Sequence, residues 1–148
     1  EAYLGGLVEH SVHVYDELIR LLKAYPELNV SPETAAIVSL LHDVCKADFY
    51  TVAYRNAKNA DGVWEKVPYY SIDDKMPLGH GEKSLFILER FLRLTISEAL
   101  AVRWHMGGFD DAARGGSFAI NGAFEKYPLA VKLHIADIEA TYLIENKE

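Results

Sequence analysis

The chain has 148 residues, of which 50% are hydrophobic and 25% are charged, as expected for one globular domain. Its net charge of −7 argues against tight, non-specific binding of nucleic acids, which depends on an excess of lysine and arginine. The charge does not exclude a small anionic substrate, because a bound metal supplies positive charge locally.

Two helices are predicted in the first third of the sequence. Apolar residues recur at helical spacing over residues 4–25, and Pro26 ends this pattern. Ser31 followed by Pro32 is typical of an N-cap and a first helical position. The apolar run "AAIVSLLHDV" extends the second helix to about Lys46.

The middle of the chain predicts a β-hairpin. Residues 49–71 are rich in aromatic and β-branched side chains on both sides of the turn signal "NADG". Helices are expected over His80–Leu94, Ser97–Met106 and Tyr127–Asn146, and residues 107–117 form a glycine-rich loop. The pattern indicates one mostly helical domain over residues 1–148 with a hairpin insertion.

Cysteine content and apolar runs predict the compartment. The single cysteine, Cys45, excludes an intrachain disulfide and favours a reducing cytoplasm. No apolar run approaches the ~20 residues that span a bilayer, so no membrane contact is expected. Because the sequence begins at Glu1 rather than methionine, truncation of an N-terminal segment stays open.

Histidines and two carboxylates carry the chemical signal. In "LLHDVCK", a histidine and an aspartate, His42 and Asp43, end an apolar run, where a charge is costly unless it is paired or bound to a metal. Asp137 lies on a second apolar helix. Imidazole and carboxylate together suit zinc, iron, manganese, nickel or cobalt. Taken singly, however, a helical histidine is more often a hydrogen-bonded core or surface residue than a ligand.

Five segments carry a family resemblance. In chain order they are "GGLVEHS", "LLHDVCK", "GHGEKS", "RWHMGG" and "LHIADIEA". This order resembles the HD-domain metal-dependent phosphohydrolase superfamily, above all the HD domains of bacterial 3′→5′ exoribonucleases and the HD-type dinucleotide polyphosphate hydrolases. The resemblance implies an all-α HD-domain helical bundle, with the small hairpin inserted after the His-Asp helix.

The resemblance also implies a set of metal ligands and substrate contacts. It assigns a primary metal to four residues: His10, His42, Asp43 and Asp137. His80 and His105 either complete a second metal site or contact the substrate phosphate. The implied cofactor is therefore one or two divalent ions of manganese, iron, nickel, cobalt or zinc, with magnesium as a further choice.

Two cations are candidates for substrate binding. Lys46 follows Asp43 by three residues and resembles the family's lysine after the His-Asp pair; it is expected to contact phosphate or to orient Asp43. The rival interpretation is a solvated lysine near a helix C-terminus. Arg114 is the candidate cation of the glycine-rich loop. His13 and His134 match no ligand position and are interpreted as structural or supporting residues.

The implied function is a metal-dependent phosphohydrolase. It would use metal-activated water to cleave a phosphomonoester or phosphodiester, with Asp43 and Lys46 as catalytic residues. The expected substrate is a nucleotide or a related small phosphorylated metabolite. Alternatives are a non-catalytic, nucleotide-sensing metal-binding module and an RNA-processing HD domain, which the acidic charge disfavours. The hairpin aromatics are expected to stack on a base, to pack their own sheet or to form a homo-oligomer interface.

Overall fold

The computed structural model describes residues 3–146. These residues form seven helices, α1 (Gly6–Lys23), α2 (Pro32–Leu41), α3 (His80–Glu89), α4 (Ile96–Arg103), α5 (Asp111–Arg114), α6 (Ala119–Lys126) and α7 (Pro128–Glu139), and two strands, β1 (Tyr50–Lys58) and β2 (Trp64–Ile72). Short 3₁₀ turns cover Pro26–Leu28, Val44–Lys46 and Gly107–Phe109, and a π-helical turn covers Ala140–Ile144. None of the helices in this part of the chain is long and apolar enough to cross a bilayer.

The core lies where the long helices meet. Helix α1 packs against α2 and α7, and α7 also packs against α4. Each of these helices contributes an apolar side chain with no exposed surface, including Leu18 of α1, Val38 of α2, Val102 of α4 and Leu133 of α7. Burying such a side chain contributes about 1.5–3 kcal/mol, so these contacts fix the relative positions of the four helices that carry the candidate ligands.

Side-chain caps define where two of these helices begin. The Ser31 hydroxyl accepts a hydrogen bond from the backbone N–H of Thr34 at 3.1 Å, which confirms the predicted N-cap. Thr95 and Glu98 form a reciprocal capping box at the start of α4. Glu98 also accepts a hydrogen bond from the Thr34 hydroxyl at 3.2 Å, so the two helix starts are tied together.

Several predicted helix ends are wrong. Helix α2 ends at Leu41 rather than near Lys46, because Asp43 leaves the helical conformation at φ −104° and ψ 21° and a 3₁₀ turn follows. The helices predicted over 80–94 and 97–106 end earlier, at Glu89 and Arg103, and the last helix gives way to the π-helical turn after Glu139. Helix α6 was not predicted, since Gly122 interrupts its short apolar pattern.

The two strands lie where the aromatic stretch predicts a hairpin. They pair antiparallel in register from Tyr50 opposite Ile72 to Lys58 opposite Trp64. The Asn59 side chain closes the turn by accepting hydrogen bonds from two backbone N–H groups, both at 3.0 Å. The expected all-α class is therefore wrong: the described residues are 58% helical but include a paired sheet, which makes the fold mixed, though mostly helical, and an HD-type bundle is not confirmed.

Candidate metal centre

Five of the sequence-predicted ligands come together between the long helices. His10 lies on α1, His42 and Asp43 directly follow α2, His105 follows α4, and Asp137 lies on α7. The shortened α2 places the His-Asp pair in the turn after the helix, not within it as expected. Both His42 and His105 have no exposed surface, and the pair of His10 and Asp43 is at most 3% exposed.

The inner nitrogens of the three histidines face the two carboxylates. His10 Nε2 lies 3.1 Å from Asp137 Oδ1. His42 Nε2 lies 3.6 Å from Asp43 Oδ2 and 3.9 Å from Asp137 Oδ1. His105 Nε2 lies 3.2 Å from Asp43 Oδ1. The donor atoms form two overlapping triads, His10 with His42 and Asp43, and His42 with His105 and Asp137, and within each triad all atoms lie within 4.8 Å of one another.

Two of the imidazole rings are held by backbone carbonyls. Nδ1 of His42 donates to Ser39 O, and Nδ1 of His105 donates to Val102 O, both at 2.7 Å. A carbonyl oxygen only accepts, so the ring proton is on Nδ1 and Nε2 can offer its lone pair. Metal-binding histidines in proteins are supported in the same way.

The buried polar atoms of the cluster that have no hydrogen-bond partner among the described residues are suited to binding a cation. Nε2 of His42, Nε2 of His105 and Oδ1 of Asp43 are buried and have no aligned hydrogen bond among the described residues. A buried polar atom without a partner costs about 1–3 kcal/mol, and one cation bound by all three atoms would remove this cost. Nitrogen and carboxylate oxygen together suit a first-row divalent metal.

The electrostatics keep the carboxylates charged. Burial alone would raise the pKa of Asp43, but the neighbouring imidazoles and a lysine ammonium outweigh burial and hold the pKa well below its usual range. Burial also opposes ionisation of Asp137, yet the nearby His10 and His42 lower its pKa. Burial lowers the pKa of His42. For His105, which lies closer to Asp43 than His42 does, the carboxylate outweighs burial and raises the pKa of the His105 imidazole.

Lys46 lies against the same aspartate. Its Nζ donates to Asp43 Oδ2 at 2.6 Å, because the 3₁₀ turn over Val44–Lys46 brings position i+3 back beside Asp43. The sequence expected this contact through a continued α-helix, and the structure makes it through a tighter turn. Lys46 also reaches the cavity beside the cluster, so it is placed to contact a ligand of Asp43.

A cavity of about 350 Å³ opens beside the cluster. Its wall includes the predicted ligands and both candidate cations, among them Asp43, Asp137, Lys46 and Arg114. The Arg114 guanidinium lies 5.6 Å from the centre of the Phe109 ring, which holds it at the rim of the cavity. The volume is enough for a small ligand.

His80 does not join the same group. Its donor atom groups with those of Asp43 and Cys45, while His105 groups with His42 and Asp137. Within residues 3–146, no such group contains both His80 and His105, which the sequence had allowed to complete a second metal site together. Burial lowers the pKa of His80, which favours a neutral ring close to Asp43.

One supporting residue has no signal in the sequence. Glu145 accepts hydrogen bonds from Nδ1 of His10 at 2.9 Å and from Nδ1 of His13 at 3.0 Å. His134 supports another candidate ligand, because its Nδ1 donates to the His105 carbonyl at 2.7 Å. Glu145 follows the last apolar position of its segment and has no motif of its own, so only the folded chain shows its contacts.

Comparison with protein-family models, with curated proteins and with solved structures returns no match for this chain.

Proposed function

We propose that the chain is a metal-dependent phosphohydrolase that cleaves a phosphoester of a nucleotide or a related small phosphorylated metabolite. One observation carries the proposal: three buried imidazoles direct Nε2 at two ionised carboxylates, and the outer nitrogens already have hydrogen-bond acceptors. The order of the five sequence segments that resemble HD-domain phosphohydrolases supplies the reaction type.

The ligand set fits a single bound cation better than a pair of cations. His10, His42, Asp43 and Asp137 would hold the ion, and His105 would complete the set. The Lys46 ammonium lies 2.6 Å from Asp43 Oδ2, and it would repel a second cation placed on that oxygen. A divalent ion in this site would lower the pKa of water and polarise a phosphoryl oxygen. We favour manganese, iron, cobalt, nickel or zinc over magnesium, because the set is rich in imidazole.

The residues around the cavity would bind and orient the substrate. The Lys46 ammonium and the Arg114 guanidinium are positioned to bind phosphoryl oxygens with charge-assisted hydrogen bonds. Asp43 stays ionised because of its cationic neighbours, so it can accept a hydrogen bond from the attacking water and orient it. His80, a neutral imidazole beside Asp43, is a candidate donor to the leaving group.

Location and partners follow from the same proposal. The only cysteine, Cys45, is buried and unpaired, which fits a reducing compartment. We propose a cytoplasmic protein whose partner is a small phosphorylated molecule. The acidic net charge of −7 disfavours RNA as the substrate, because RNA binding relies on basic surface.

Metal content is the first test. Protein purified without chelators or an immobilised-metal column would be analysed for metal per chain, then assayed with phosphomonoesters, phosphodiesters and nucleotides. We expect about one ion per chain and turnover of at least one ester class. A content of about two ions per chain would contradict the one-metal arrangement and support a two-metal site. Metal without turnover would favour a sensing module, and no metal regained from manganese, iron, cobalt, nickel or zinc would reject the proposal.

A further inference from the structure

Glu145 connects two histidines of α1 to the end of the described chain. Its Oε1 accepts hydrogen bonds from Nδ1 of His10 at 2.9 Å and from Nδ1 of His13 at 3.0 Å. The side chain of His10 is 1% exposed, whereas those of His13 and Glu145 are 27% and 21% exposed. The carboxylate therefore lies between a buried imidazole and one nearer the solvent, and both hold it in place.

The other nitrogen of His10 faces the metal centre. Nε2 lies 3.1 Å from Asp137 Oδ1 and 3.8 Å from Asp43 Oδ2. A carboxylate accepts but does not donate, so the hydrogen bond to Glu145 keeps a proton on Nδ1 and leaves Nε2 to face the cluster. His42 and His105 obtain the same support from carbonyl oxygens; His10 alone among the three has a charged acceptor.

We propose that Glu145 is a positioning residue of the metal centre. Its carboxylate fixes the ring orientation and the tautomer of His10, and His13 fixes the carboxylate. A charged hydrogen-bond acceptor on Nδ1 also makes the lone pair of Nε2 a stronger ligand for a cation than a carbonyl acceptor does. The inference rests on the metal site of the proposed function and does not depend on phosphoester turnover.

The backbone before Glu145 supports a specific placement. Residues Ala140–Ile144 form one π-helical turn, and the N–H of Glu145 donates to the carbonyl of Ala140 at 3.0 Å. A π turn contains one residue more than an α turn, which rotates the following side chain by about 100° around the axis. Such turns are rare in proteins overall, and those that occur are often found at functional sites. Here the turn directs Glu145 toward α1.

The rival explanation is a purely structural tie between the chain end and α1. Glu139 offers a matched control, because it also joins this segment to α1: its Oε2 accepts from Arg20 Nη2 at 2.6 Å. That contact touches none of the candidate ligands. Loss of a helix tie alone should therefore affect the two glutamates alike, whereas a positioning role affects Glu145 only.

The experiment compares the wild-type chain with Glu145→Ala, Glu145→Gln and Glu139→Gln, with zinc as a diamagnetic probe metal. Zinc affinity is measured by competition with a chromophoric chelator. We expect about 10- to 100-fold weaker binding in Glu145→Ala. We expect about 3- to 10-fold weaker binding in Glu145→Gln, which keeps a neutral acceptor. Glu139→Gln should bind zinc as the wild type does.

A second readout follows the imidazole itself. In ¹⁵N-labelled, zinc-loaded wild-type protein, we expect a slowly exchanging Nδ1–H signal for His10. Glu145→Ala should lose this protection, because no acceptor remains to hold the proton, and Glu139→Gln should keep it. A structural tie alone would not change the ring proton of His10 selectively. Thermal melts of the metal-free proteins identify any variant that fails to fold.

The outcomes separate this inference from the proposed reaction. Unchanged zinc affinity and an unchanged His10 signal in a folded Glu145→Ala protein would overturn the inference. If that variant does not fold, Glu145→Gln decides by the same two measurements. If the wild-type chain binds zinc with this dependence but hydrolyses no phosphoester, the reaction is wrong and the inference stands. If the wild-type chain does not bind zinc, the inference is overturned, and the proposed reaction falls with it only when the chain also fails to bind manganese, iron, cobalt and nickel.

Discussion

The candidate metal centre and the hairpin distribute polarity in opposite ways. At the metal centre, imidazoles and carboxylates are buried and their outer atoms have defined partners. Along the hairpin, large apolar and aromatic side chains such as Val52, Tyr54 and Trp64 are 52%, 64% and 65% exposed. The difference shows that burial in this protein follows the positions of the helices, and that the hairpin adds little to the core.

The two regions also differ in what a single change disturbs. Side chains at the metal centre share partners, so removing one leaves other buried groups unsatisfied. In the part of the chain that the structure describes, β1 and β2 pair mainly with each other and make only weak contact with any helix. Matched substitutions in the two regions should therefore have very different effects.

The largest difference is expected between two nearby aspartates. Asp43→Asn removes a charge that contacts both His105 and Lys46, so we expect metal affinity to fall by at least about 100-fold and turnover to be lost. Asp48→Asn, just before the hairpin, alters an exposed pair with Lys75 and should leave metal binding unchanged. Metal titration and circular dichroism measure both effects. Equal losses of metal affinity in the Asp43→Asn and Asp48→Asn proteins would mean that Asp43 acts only through folding.

Glycine substitutions compare packing in the two regions. Gly107 has φ +56°, and a Cβ there would overlap the imidazole of His134, so Gly107→Ala combines backbone strain with overpacking. We expect a loss of about 2–5 kcal/mol in the free energy of unfolding. Gly62, in the hairpin turn, has φ +73° but no atom within 4 Å of a Cβ.

Gly62→Ala should cost only the backbone strain, about 1–2 kcal/mol. Urea denaturation of both variants measures the difference. If Gly62→Ala proves as costly as Gly107→Ala, the hairpin turn contributes to stability as much as the loop beside the metal centre does, which the open surroundings of Gly62 do not predict.

Two lysines compare substrate binding. Lys46→Met removes the ammonium between Asp43 and the cavity, so we expect kcat/KM to fall by about 10- to 100-fold while metal content stays the same. Lys58→Met, in β1, removes a cation above the Trp64 ring and should leave kcat/KM unchanged. Steady-state kinetics and metal analysis of both variants decide. Loss of metal in Lys46→Met would assign the lysine to the metal site instead of the substrate.

Deletion of the hairpin should have the smallest effect. The backbone N–H of Asp73 donates to the carbonyl of Phe49 at 2.9 Å, so the two ends of the inserted segment are already adjacent. Replacing Tyr50–Ile72 with two glycines should lower the melting temperature by less than about 5 °C and retain the metal. A melting temperature lowered by much more would show that the hairpin supports the helical body.

The sequence predicted which residue types would come together better than it predicted their geometry. His42 and Asp43 stood out because they end an apolar run, whereas His10 was assigned only because its segment resembles the HD-domain superfamily. The end of α2 was misplaced because an apolar run does not distinguish an α-helix from the 3₁₀ turn that follows it. Which histidines share a group could not be predicted, because that depends on how the start of α3 packs against the end of α4.

Other features depended on structure that has no sequence signal. The hairpin could be predicted from its turn residues and its aromatic content, but the exposure of its aromatic face could not, because alternation alone does not show what covers a strand. Glu145 depends on a π-helical turn, and no side-chain pattern at Ala140–Ile144 distinguishes that turn from ordinary helix. Long-range contacts, not local preferences, decide each of these features.

The hairpin also provides an arm of defined length. Its nine-residue strands rise by about 3.4 Å per residue, so the tip lies about 30 Å from the base. The exposed turn between Lys58 and Trp64 tolerates attachment without disturbing the helices. If a quenching metal ion bound at the candidate centre, the fluorescence of a dye placed on that turn would decrease to an extent that depends on the distance between them, and would report metal binding optically.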